Sequence, residues 1–135
     1  MRIWHIKLLP ALPKEQLVSQ WRELSAIAGK IQISGSPNHV LVNFVMNYDF
    51  DHFISYAYYL RQEMTARGYK TMEKVWEKIV SLKPSWTLLP REKVYKEKMD
   101  QKYLTICFYN LYEKYECGMF SDFSEIEKIC HVEQH

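Results

Sequence analysis

The chain has 135 residues, a net charge of +2, 47% apolar side chains and 25% charged ones. This is the composition of one soluble globular domain, 1–135, with a single core, and its charge is too near balance to demand a polyanionic partner. No apolar run is long enough to span a membrane, and Pro10, Pro13 and Lys14 interrupt any leader-like stretch, so a cytoplasmic protein is expected. Cys107, Cys117 and Cys130 follow no metal-ligand or CxxC spacing and suit a reducing compartment, where thiols act as small core residues. Charge is unevenly spread. Residues 61–102 carry eleven basic and six acidic side chains, while residues 110–135 carry two basic and six acidic, which permits a positive face beside an acidic one.

In chain order, RIWHIKLL (2–9) reads as an extended, β-tolerant segment that turns at Pro10 and Pro13. From about Lys14 to Ile31, the residues Leu17, Trp21, Leu24, Ala28 and Ile31 recur at helical spacing and form one apolar stripe. Ser34–Pro37 ends that helix, and a short helix is expected over Asn38–Met46. Asp49 is placed to cap a helix running to Arg67, with Phe53, Ala57, Leu60 and Met64 inward and Gly68 as its stop. Met72, Val75, Trp76 and Ile79 repeat the pattern over Thr71–Leu82. A further helix spans Asp100–Cys117, with Leu104, Cys107, Phe108 and Leu111 inward and Gly118 beyond it. A last short helix starts near Ser121. Five to six helices without an alternating strand pattern predict an all-α, compact single-domain bundle. The extended N-terminal segment reaches about 26 Å, against a rise of about 14 Å from Lys14 to Glu23, so it is long enough to fold back and pack over the first helix.

Chemistry-bearing motifs are few. His5 and His52 have no partner at metal-ligand spacing, and no metal site is expected. No P-loop, GxSxG or HExxH pattern is present. The tyrosines of ISYAYYL read as packing. In WREL (21–24), Trp21 and Leu24 belong to the core stripe, which leaves Arg22 and Glu23 on opposite flanks of the polar face with Ser19, Ala26 and Lys30. Taken alone, both are ordinary solvated charges.

Four short motifs change that reading. MRIW at the start, WRE at 21–23, NHVLVNF at 38–44 and YLRQEMTARGY at 59–69 resemble, in order and spacing, the pyrimidine-dimer DNA glycosylase and abasic-site lyase family of phage endonuclease V and its bacterial relatives. The likeness covers roughly residues 1–70. The C-terminal half offers only NLYEKYECG (110–118) as a loose counterpart to the aromatic, lysine-rich tail of the phage member.

The resemblance implies a DNA-repair glycosylase with abasic-site lyase activity on pyrimidine-dimer-type lesions, working through an imine on the chain's first α-amine. By it, Met1 and Glu23 are the catalytic residues. Arg22 holds a phosphate beside the lesion, and Arg2 and His39 are further DNA-binding residues; Lys30, read as DNA-binding too, and Lys7 are phosphate contacts on their charge alone, which fits solvated side chains equally well. An amine suits attack at C1′ only when neutral. An α-amine titrating near 7.7–8.0 is roughly 10% neutral at pH 7, whereas an ordinary lysine, near 10.4, is neutral a few times in ten thousand. No cofactor is implied, the partner is damaged double-stranded DNA, no membrane is involved, and a monomer is expected. The sequence departs from the family twice. The bulky Arg2 after Met1 predicts that Met1 is retained as the nucleophile, and Ala26 stands where the phage member has an arginine. A non-catalytic nucleic-acid or protein interaction module on the same helical scaffold is the alternative.

Overall fold

The computed structural model describes residues 1–130, so the end of the expected domain, residues 131–135, lies outside the described residues. Regular structure among the described residues is all helical: α1 (Lys14–Ser34), α2 (Phe50–Ala66), α3 (Glu73–Val80), α4 (Gln101–Glu116) and α5 (Ser124–Cys130), with 3-10 turns at Ile6–Ala11, Asn43–Asn47 and Arg91–Lys93. The all-α bundle predicted from periodicity is the observed architecture.

Helix ends follow local chemistry. The Asp49 side chain accepts the N–H of Asp51 at the start of α2, and Asp100 accepts that of Tyr103 at the start of α4. Gly35, Gly68 and Gly118 each follow a helix with φ near +80°, a left-handed stop that glycine adopts without strain. Helix α2 is the hub, packing against α1, α3 and all three 3-10 turns. That is why Phe53, Ile54, Ser55, Tyr56 and Ala57 are buried in succession rather than on one stripe. The stripe of α1 is buried as expected, and so are Leu104, Cys107, Phe108 and Leu111 of α4.

Three elements differ from expectation. The N-terminal segment is extended only through His5, where Ile6–Ala11 winds into a 3-10 helix. The His5 side chain accepts the N–H of Lys7, and Ile6, Leu8 and Leu9 are all buried; a strand would have turned alternate residues to solvent. Over 38–46, Asn38 adopts a left-handed φ of 54°, and His39 donates its N–H to Oδ1 of Asn43. The expected helix is thereby reduced to a turn and the 3-10 segment. Met72 is exposed at the N-terminal edge of α3 instead of facing inward, because that helix begins one residue later.

Arg67 ties the first turn to the hub. Its guanidinium donates to the carbonyls of Leu9, Pro10 and Leu12, and its Nε donates to Glu63. The C-terminal half completes the same core through Val94, Tyr95, Tyr103, Phe108, Phe123 and Ile126.

Candidate active site

Residues 2–4 run along α1 and bring the N-terminus to Glu23. The Met1 amine lies 3.9 Å from Glu23 Oε2, and the Arg2 main-chain N–H donates to the same oxygen at 3.3 Å. Both groups line a cleft of about 240 Å³, together with Arg2, Trp4, Gln16, Ser19, Leu41, Asn110, Lys114 and Met119. Leu41 and Met119 are exposed apolar side chains in this lining.

Glu23 keeps only a quarter of its side chain exposed. Burial raises its pKa above the ordinary carboxylate value; the N-terminal ammonium, the Arg2 N–H, Lys114 and His39 oppose that rise. A largely buried carboxyl beside an amine is a pairing that proton-transfer chemistry can use.

The other predicted residues scatter around this pair. Arg2 lines the cleft, its guanidinium 5.8 Å above the Tyr103 ring. Arg22 is exposed and lines a neighbouring depression with Lys14, Glu15, Val18 and Ser19; Ser19 is common to both. His39 is half-exposed, and its Nδ1 accepts the N–H of Leu41, itself part of the cleft. Lys30 is exposed near the far end of α1, seven residues beyond Glu23 and outside the cleft lining. Among the described residues no cluster of His, Cys, Asp or Glu is arranged to hold a metal.

Sequence reasoning missed Gln16, Gln20, Asn110 and Lys114. Gln20 had a signal: it sits between Leu17 and Leu24 at helical spacing, a polar residue on the buried stripe. Gln16 is buried as well, and its Oε1 has no hydrogen-bond partner among the described residues. Asn110 and Lys114 lie one turn apart on α4, and no local pattern announces that this face meets Met1.

The fold is a small helical bundle whose cleft sets an α-amine beside a partly buried carboxylate. The family model of pyrimidine dimer DNA glycosylases matches residues 1–77, more than half of the chain, and the protein belongs to that family. No curated protein and no solved structure matches it. The matched segment contains Met1, Arg2, Gln16, Ser19, Glu23 and Leu41, while Asn110, Lys114 and Met119 reach the cleft from beyond it. No helix among the described residues is long and apolar enough to cross a membrane.

Proposed function

We propose that the protein removes a damaged pyrimidine from duplex DNA and then cleaves the strand at the abasic site, with the α-amine of Met1 as nucleophile. The neutral amine attacks C1′, the N-glycosidic bond breaks, and the base leaves with a proton. Opening of the sugar ring yields a protonated imine between Met1 and C1′. Loss of a C2′ proton expels the 3′ phosphate by β-elimination, and water then releases the amine.

Glu23 is the acid–base residue of this scheme. It takes the proton from the ammonium, passes it to the departing base and, ionised again, stabilises the cationic imine. Arg22 and Arg2 grip phosphates on either side of the lesion, and Lys30 and His39 extend that contact along the strand. The observation that carries the reading is the 3.9 Å approach of the Met1 amine to the partly desolvated Glu23 inside a cleft.

Borohydride reduction on abasic or dimer-containing duplex DNA tests it. A covalent adduct should form, and mass spectrometry should place it on the Met1 nitrogen. Acetylating the N-terminus should abolish the adduct. Glu23→Gln should bind the DNA while losing most turnover, the pattern of a residue used in the transition state rather than in binding. An adduct on a lysine would show that a different amine reacts. No adduct on any damaged duplex would leave the interaction-module reading in its place.

A further inference from the structure

Among the described residues no strand lies beside residues 2–4, yet side chains hydrogen-bond the N–H and C=O of Arg2 and Trp4 and the C=O of Ile3. Gln20 of α1, fully buried, donates Nε2–H to the Arg2 carbonyl at 2.8 Å and accepts the Trp4 N–H on Oε1 at 2.8 Å. From α2, the buried Tyr56 hydroxyl lies 2.7 Å from the Trp4 carbonyl and 2.9 Å from Gln20 Oε1, its single proton shared between them. From α4, Tyr103 donates to the Ile3 carbonyl. Three helices thus close on three residues, one peptide away from the amine.

Packing alone does not explain Gln20. Its place between Leu17 and Leu24 on the buried stripe would suit a leucine, and among the described residues its carboxamide bonds to the segment leading to Met1 and to Tyr56. With the Arg2 carbonyl held by Gln20 and the Arg2 N–H by Glu23, the amine keeps the rotations of Met1, and its distance to Glu23 is set within that range.

We propose that Gln20 is a positioning residue: with Tyr56 and Tyr103 it clamps residues 2–4 so that the Met1 amine stands at Glu23 ready for attack. The proposal rests on the imine reading above and adds a residue to it. Tyr103 lies outside the segment shared with the family, so part of the clamp belongs to this chain's own C-terminal half.

The test is the rate of borohydride trapping on abasic duplex, compared among wild type, Gln20→Glu, Gln20→Leu and Tyr103→Phe. Gln20→Glu keeps the size and the acceptor for Trp4 but, while ionised, cannot donate to Arg2. Its trapping rate should fall by about ten- to a hundred-fold at pH 8, the range a misplaced reactive group costs. As pH is lowered toward about 6, a buried glutamate takes up a proton and regains the donor, so the ratio of its rate to that of wild type should rise. Gln20→Leu should be slow at every pH, with no such rise, and Tyr103→Phe should be slowed more mildly. Affinity for a non-cleavable abasic duplex should stay within about two-fold of wild type in all three.

Wild-type trapping rates in folded Gln20→Glu and Tyr103→Phe would overturn the proposal while leaving the imine reading intact. So would a loss in Gln20→Glu that ignores pH and merely follows melting temperature, since that marks a structural role. If Gln20→Leu does not fold, the other two variants decide. If wild-type protein forms no Met1 adduct, the imine reading falls and takes the clamp with it.

Discussion

Glu23 carries two opposed demands, and the balance between them is measurable. Its folded pKa is raised, chiefly by burial. A carboxyl of this kind stabilises the fold while protonated, and that contribution is lost as pH rises from the unfolded value, near 4.5, through the raised folded one. At pH 7 the ionised Glu23 therefore costs stability, and Glu23→Gln should melt at or above the wild-type temperature, with the difference closing below about pH 4.5. A clear drop in melting temperature at pH 7 would mean that the pairing with the amine outweighs desolvation. Arg22 poses a simpler question. It is exposed and forms no ion pair within 4 Å among the described residues, so its charge is free for a phosphate. Arg22→Ala should weaken duplex binding alike for all sequences and reduce the salt slope of log K by about 1. An unchanged slope in a titration series would remove Arg22 from the interface.

At the scale of elements, α4 matters beyond its share of the core. Its first turn carries Tyr103, which holds the Ile3 carbonyl, and its exposed side brings Asn110 and Lys114 to the cleft. The start of that turn is fixed by Asp100, whose carboxylate accepts the Tyr103 N–H at 2.8 Å. Asp100→Ala should cost about 1 kcal/mol, which corresponds to roughly 3–5 °C in melting temperature for a domain of this size. Because the lost cap loosens the turn that holds residue 3, imine trapping should slow as well. Denaturant melts with no shift would show that the helix start is secured by packing instead. Helix α2 contributes differently, because Tyr56 near its middle and Arg67 at its C-cap both reach the N-terminal segment.

Across the whole molecule, the core extends beyond the family-matched segment. Residues 1–77 include α1 and α2 but leave out Val94, Tyr95, Tyr103, Leu104, Phe108, Leu111, Phe123 and Ile126, all buried in the same core. Removing them would expose the inner faces of the first turn and of α2 to water, at a cost of roughly 1.5–3 kcal/mol for each large side chain that loses its cover. A fragment ending at residue 77 should therefore show collapsed amide dispersion and no cooperative melt, despite carrying both Met1 and Glu23. A sharp two-state transition from that fragment would show that the C-terminal half is an addition to the core and not part of it. Acid should strain the full chain as well. His5 and His52 have pKa values lowered by burial, so the stability they contribute is present above about pH 6.5 and declines as pH falls and they must charge.

Local signals in the sequence specify the longer helices and several of their ends. The stripe Leu17–Trp21–Leu24–Ala28–Ile31, the cap at Asp49 and the stops at Gly68 and Gly118 are all local signals, and hydrogen bonding within a few residues enforces them. The sequence also carried the family, because MRIW and WRE are short, contiguous and tied to chemistry. The 3-10 turn at Ile6–Ala11 was hidden: RIWHIKLL is equally compatible with a strand until the core that buries Ile6, Leu8 and Leu9 is present. Tertiary structure alone decided that Gln20, Tyr56 and Tyr103 meet over residues 2–4, since those hydrogen bonds join positions 16 to 100 residues apart. The cleft obeys the same rule. Its matched wall can be read from short motifs, but Asn110 and Lys114 face Met1 only because packing places α4 there, and no periodicity encodes the distance between two helices.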